Sequence, residues 1–244
     1  MQRREFTQAV LMAGTASTGL LGASHAQAQA TFKEGSDYLK LGRPAPVDAP
    51  ADKVEVIEFF WYSCPHCNMF EPSFAQWVKN APKDVVVRRI PVSFRDDFAP
   101  QQRLFFTIEA MNLMETLHPK VFAAIHVEKL MLNTDASVLA WAEKQGVDKA
   151  KFNEVYKSFG VASKLKRAVQ LQNDFKVEGV PSLGVAGRFG VGPGGLRPHE
   201  QGLAGLGSHS ALGLCPGGPA VERKECLAAQ QRIGLAFDPA HADL

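Results

Sequence analysis

Two thiols set three positions apart, Cys64 and Cys67 in the run Cys64-Pro65-His66-Cys67, can close on each other as a disulfide or hold a metal ion together. In disulfide exchange the thiolate is the attacking species, so reactivity depends on what lowers a thiol's affinity for its proton. Position supplies such an influence. The preceding stretch, Val54-Glu55-Val56-Ile57-Glu58-Phe59-Phe60, is rich in β-branched and aromatic residues and has the length of one strand. Beyond the pair, Met69, Phe70, Phe74, Trp77 and Val78 recur at helical spacing until Pro82 ends the pattern. The cysteines therefore fall where a strand hands over to a helix. There the first sulfur faces unpaired N–H groups and the positive end of the helix dipole, both of which favour a thiolate. A metal site would use Cys64, His66 and Cys67, but a structural zinc needs four ligands, and Cys215 and Cys226 lack the paired spacing of a second half-site.

The elements around this site follow the chain. Met1 to Ala30 has a basic start, a mildly apolar middle and an Ala-x-Ala end, the three parts of a cleaved secretory leader. The apolar part is too short to span a bilayer as a helix, and its Arg-Arg-x-Phe start is a partial match to a twin-arginine signal. Export would place the pair in an oxidising compartment, where a disulfide persists. Tyr38-Leu39 predicts a short first strand, and Val85 to Ile90 a buried one that Pro91 breaks, completing a βαβ unit. From Pro100 to about Phe175 the pattern is helical. Leu104, Phe105, Ile108 and Met111 share one face, Val121, Phe122, Ile125 and Leu130 another, and a further helix starts near Asp135. Gly146 closes that helix, and Asp148 caps a next one carrying Phe152, Val155, Tyr156 and Phe159. After it comes a strand-like segment from Val177 to Gly187. Its Val180-Pro181 step marks either an edge strand or a cis bond that brings backbone close to the cysteines.

Residues 190–244 fit none of these patterns. They are Gly- and Pro-rich, with neither a strand nor an amphipathic helix legible, as expected for a shifted reading frame or a disordered extension. The formal net charge of +2 on 244 residues, with 45% hydrophobic and 21% charged, describes an ordinary globular chain and gives no footprint for nucleic acid.

Glu58-Phe59-Phe60 leading into Cys64-Pro65-His66-Cys67, the helical insertion, and Gly179-Val180-Pro181 together resemble the DsbA family of periplasmic thiol:disulfide oxidoreductases, within the thioredoxin superfamily. The Pro-His dipeptide distinguishes that family from thioredoxins, which carry Gly-Pro. The resemblance covers about Phe32 to Phe189. It implies an α/β, thioredoxin-like domain from 31–98 and 176–189, interrupted by a helical insertion at 99–175. The last strand and helix of the family would be missing or disrupted in the 190–244 tail.

The resemblance also implies roles. Cys64 is the nucleophile and Cys67 the resolving thiol of a redox-active disulfide. Pro65 and His66 tune the thiolate, and Val180-Pro181 is a cis bond beside it. Glu58 is a buried acid near the disulfide, with Arg89 as its basic partner, where Glu55 is the competing inward residue of the same strand. His118, His126, His199 and His209 show no ligand spacing. No cofactor or metal is called for beyond the disulfide. Substrates are unfolded or newly exported thiol proteins, the reoxidant a DsbB-like inner-membrane protein, the state a monomer and the compartment the periplasm. The competing functions are a disulfide isomerase or reductase of the same superfamily and a metal-binding Cys-x-x-Cys module. An isomerase would carry an N-terminal dimerisation domain, for which the stretch between leader and first strand leaves no room.

Overall fold

The structure, a computed structural model, describes Glu34, Gly35 and residues 38–193. The expected leader, and the tail beyond residue 193 with Cys215 and Cys226, lie outside these residues. Strands β1 (Leu39–Lys40), β2 (Val54–Phe60), β3 (Val85–Pro91), β4 (Ser182–Val185) and β5 (Phe189–Val191) form one sheet in the order β1-β5-β4-β2-β3. Only β2 and β3 run parallel, and helix α1 (Pro65–Asn80) joins them as the expected βαβ unit. Pro91 does not break β3 but ends it, opposite Phe60. β3 is an edge strand, so its backbone N–H groups owe nothing to a further neighbour and a proline is tolerated there.

β2 lies inside the sheet with both faces covered, and Glu55 to Phe60 are all buried. Val56 packs with Phe70, Phe74 and Trp77 of α1. On the opposite face Phe59 meets Phe175, their ring centroids 5.3 Å apart. Phe175 lies so close to β4 that a Cβ on Gly184 would stand 2.5 Å from its ring, which excludes any larger residue at that position. Full burial of an aromatic such as Phe59 or Phe60 stabilises by about 1.5–3 kcal/mol, so the two sides of this one strand carry much of the core.

The insertion contains α2 (Ala99–Ala110), α3 (Met114–His126), α4 (Asp135–Lys144), α5 (Lys149–Tyr156) and α6 (Phe159–Asp174). Asp148 caps α5 as the sequence implies, its Oδ1 accepting from Lys151 N–H at 2.7 Å. The helix expected to include Phe159 is two helices. Ser158 accepts from Val161 N–H and starts α6, which leaves Phe159 exposed. Leu130 likewise lies past the end of α3.

The Val180-Pro181 bond is cis, as the resemblance implies, and Pro181 is buried immediately before the inner strand β4 rather than on an edge. One expectation is corrected by the sheet. The last strand of the sheet is present, as β5, which pairs with β1 through Phe189 and Gly190 and with β4 through Phe189, Gly190 and Val191, the last two beyond the expected boundary. Main-chain hydrogen bonds to two neighbours hold a glycine-containing strand that side-chain patterning does not reveal. The expected loss of a helix after it concerns residues outside those described.

Candidate active site

Tyr62 and Ser63 turn the chain from β2 into α1, and Cys64 is the residue that caps the helix. Its backbone is extended, with φ −79° and ψ 118°, and Pro65 follows at the first helical position, where a missing N–H costs nothing. The Sγ of Cys64 takes the part that a serine or aspartate oxygen plays in other helices: it accepts from the Cys67 N–H at 3.4 Å. The thiol can itself donate to the Val180 carbonyl at 3.5 Å, which sets the residue before Pro181 directly against the sulfur. The predicted set Cys64, Cys67, Pro65, His66, Val180 and Pro181 is thus one neighbourhood. In this structure the two cysteines are thiols.

Their environments drive them apart. The Cys67 side chain, ahead of the backbone N–H groups of Cys67 and His66 and the charge of His66, lowers the Cys64 pKa to about 6 against the opposing effect of burial. Cys67 is fully buried, and burial first, then its contact with Cys64, push its thiol far up. His66 is exposed and its charge is the smallest of these influences on Cys64, so the dipeptide adjusts a thiolate that the helix terminus already favours.

Glu55 and Glu58 both lie buried, which answers the question of which one points inward: they sit on opposite faces of β2. Glu55 accepts from Arg88 at 3.0 Å and from Asp48 N–H at 3.2 Å. Arg88 also reaches Asp48, and Arg167 of α6 pairs with the same Asp48. This network straps the N-terminal segment to the sheet and to α6, away from the cysteines. Glu58 faces α1, where Arg89 Nε donates to it at 3.0 Å while Arg89 Nη2 donates to Glu71 at 2.8 Å. Burial, then the charge of Glu71, raise the Glu58 pKa to about 8 despite Arg89. Glu58 is close enough to Cys67 for its charge to hold that thiol's proton more tightly.

Three side chains joined to this site were not singled out from the sequence. Glu71 is one: it stands four residues after Cys67, on the same buried stripe as Phe70 and Phe74, and that i, i+4 spacing was the available signal. His118, read as an unremarkable histidine, is buried four residues before Phe122, with Nδ1 2.8 Å from the Tyr62 hydroxyl and Nε2 3.4 Å from Glu71 Oε1. Gln101 is buried and donates to Ser63 Oγ at 2.7 Å and to the Met131 carbonyl, which ties α2 and the loop after α3 to the residue before Cys64. No local pattern marks a contact made across 38 residues. Among the described residues no three His, Cys, Asp or Glu side chains converge as a metal-binding group, and no helix is long and apolar enough to cross a membrane.

Known proteins resemble this chain in sequence and fold. The family profile described as "DSBA-like thioredoxin domain" matches residues 55–201. The thiol:disulfide interchange protein DsbA of Burkholderia cepacia is 43% identical over 174 residues, 71% of this chain and 82% of that protein. Its namesake in Pseudomonas aeruginosa is 37% identical over 188 residues, 76% of this chain and 88% of that one. The crystal structure of Pseudomonas aeruginosa DsbA superposes with a TM-score of 0.66 at 35% identity, covering 70% of this chain and 88% of its own. The oxidoreductase NmDsbA1 of Neisseria meningitidis gives 0.59 at 28% identity, over 65% and 83%. With a matched region longer than half its length, a thioredoxin-like sheet and a helical insertion in the expected place, the chain belongs to the DSBA-like thioredoxin domain family.

Proposed function

We propose that this chain, a thiol:disulfide oxidoreductase by family, works as an oxidase: it donates a Cys64–Cys67 disulfide to the thiols of unfolded, newly exported proteins. The observation that carries the reading is the helix cap made by Cys64 Sγ, with its lowered pKa, beside a buried Cys67 whose thiol holds its proton. A pair in which one sulfur is stable as a thiolate is stable when reduced. Its disulfide is correspondingly a good electron acceptor.

The reaction runs in two exchanges. A substrate thiolate attacks Cys64 Sγ, forming a mixed disulfide, and the electron pair of the broken S–S bond leaves on Cys67, which takes up a proton. A second substrate thiolate then attacks the substrate sulfur of the mixed disulfide, and Cys64 departs as the favoured thiolate. Two electrons pass from two substrate thiols to the pair. Glu58, with its raised pKa, is suited to deliver the proton that Cys67 requires. Val180, whose carbonyl lies against Cys64, offers main-chain groups for an extended substrate segment. The site needs no prosthetic group. Electrons leave the reduced pair to a DsbB-like, quinone-linked membrane protein, the compartment is the periplasm, and the chain acts as a monomer.

Equilibration with glutathione, followed by oxidation of a reduced peptide, tests the proposal. The expected result is a pair that stays reduced in glutathione mixtures able to oxidise thioredoxin-like dithiols, and that oxidises the peptide stoichiometrically. A pair more reducing than glutathione would instead make the protein a reductase.

A further inference from the structure

His118 comes from the helical insertion, yet both of its ring nitrogens face groups beside the cysteines. Nδ1 lies 2.8 Å from the Tyr62 hydroxyl. Nε2 lies 3.4 Å from Glu71 Oε1, long and off-axis for a hydrogen bond and therefore a charge–dipole contact. The ring itself is held by edge contacts to Phe60, Phe105 and Phe122, so it cannot turn away to another partner without breaking that packing.

The tautomer follows from the partners. Burial, ahead of the charge of Glu71, raises the Tyr62 pKa well above its ordinary value, so the phenol keeps its hydrogen. Burial also lowers the His118 pKa against the pull of Glu71, so the ring is neutral and has a single N–H. Among the described residues the Tyr62 hydroxyl has no hydrogen-bond acceptor other than Nδ1. Tyr62 therefore donates to Nδ1, and the ring hydrogen sits on Nε2, aimed at Glu71. The reverse tautomer would leave the phenol hydrogen unpaired and set a lone pair against a carboxylate.

Two buried carboxyls, Glu58 and Glu71, share one guanidinium, Arg89. A single positive charge in that setting favours one ionised acid and one protonated acid over two anions. Glu71 receives the Arg89 Nη2 bond and faces the His118 Nε2 dipole, whereas Glu58 has only the Arg89 Nε bond; each keeps one oxygen, Glu71 Oε2 and Glu58 Oε1, without a hydrogen-bond partner among the described residues. The other charge near this group, Glu109 of α2, acts on Tyr62 and is itself paired with Lys164.

We propose that His118 is a positioning residue for the redox reaction: its Nε2–H holds Glu71 as the charged partner of Arg89 and so leaves the shared proton on Glu58, next to Cys67. The insertion thereby sets where the exchangeable proton resides. This rests on the proton-carrier reading of Glu58 given above.

The test is the titration midpoint of the Glu58 carboxyl, followed by carbon NMR in the reduced protein, across a small set of variants. His118→Phe fits the aromatic surroundings but removes both nitrogens, and His118→Asn keeps a partner for Tyr62 without reaching Glu71. Both are expected to lower the Glu58 midpoint by about one pH unit, a tenfold loss of proton affinity. His118→Gln, which retains an N–H at the distance of Nε2, is expected to keep the parent value. In a Glu71→Gln background the His118 substitutions should have no further effect on Glu58. An unchanged midpoint in His118→Asn and His118→Phe, or the same drop in the Glu71→Gln background, overturns the assignment of His118. The carrier reading fails separately, if Glu58→Gln transfers disulfides at the parent rate and with the parent pH profile.

Discussion

The N–H of Cys67 points at the sulfur of Cys64 across 3.4 Å, so the resolving residue is also part of what makes its partner a nucleophile. The two positions are consequently unequal. Cys64→Ser keeps a helix cap but has no sulfur for a substrate to attack, and disulfide transfer should be abolished. Cys67→Ser cannot close the disulfide, so a mixed disulfide formed when the Cys64 thiolate attacks an oxidised thiol has no internal thiol to expel it and should accumulate, visible as reducible adducts by mass spectrometry. Equal accumulation by both variants would reverse the assignment.

Replacing His66 by Tyr removes the weakest of the influences on Cys64 and leaves the helix terminus and the Cys67 contacts in place, whereas a Gly-Pro dipeptide also sets a proline at position 66 and so removes an N–H that lowers the Cys64 pKa. The expected result is a rise in the Cys64 pKa of about one unit, which weakens the reduced form by about 1.4 kcal/mol and makes the pair less oxidising by about 30 mV. Thiolate absorbance against pH and glutathione equilibration measure the two quantities. A pKa that does not move in His66→Tyr would leave the Cys67 side chain and the helix terminus in control.

The difference in melting temperature between reduced and oxidised protein should depend on pH with a defined sign. The folded pKa of Cys64, about 6, lies below that of an unfolded thiol, about 8.5. Its stabilisation is therefore fully present above about pH 8.5 and is lost as pH falls through about 6. Glu58 works in the opposite sense. Its folded pKa of about 8 lies above that of an unfolded carboxyl, so its contribution is lost as pH rises toward 8, but it is present in both redox forms and largely cancels. Scanning calorimetry of both forms should show the reduced protein melting higher at pH 8 and the gap closing toward pH 5. A gap that widens on acidification would contradict a depressed thiol pKa.

Much of this was legible because it is local. The apolar run into Cys64 and the helical spacing after Cys67 fix a helix terminus at the sulfur, and both are read from about twenty residues. Asp148 could be placed as a cap for the same reason. What stayed hidden depends on partners far along the chain. A single strand's sequence does not say whether both its faces are covered, and layers packed on both faces of β2 are why Glu55 and Glu58 are both buried. His118 and Gln101 reach the site only because the insertion folds back onto the Tyr62-Ser63 turn. Strand β5 escaped notice because its pairing is carried by backbone, on either side of a glycine.

The shared guanidinium yields the last prediction, in which stability and activity part company. Removing Arg89 leaves Glu58 and Glu71 facing each other in a buried site without a counter-charge, a change that typically costs about 3–5 kcal/mol. Arg89→Met should therefore melt well below the parent at pH 7. Glu58→Gln goes the other way. It removes the acid whose ionisation burial opposes and leaves Arg89 to Glu71 alone, so the folded state should be as stable as the parent or more so at pH 8, where the parent is paying to ionise Glu58. The double variant should recover part of the loss seen with Arg89→Met, since the two changes act on one network and are not additive. Disulfide transfer by Glu58→Gln should nevertheless slow, on the order of a hundredfold in the step that protonates Cys67, because an amide cannot hand over a proton. Urea unfolding paired with single-turnover exchange kinetics reads both quantities on the same proteins. If Glu58→Gln were destabilised as strongly as Arg89→Met, the carboxyl would be a structural ion-pair partner, and its raised pKa would have no part in the reaction.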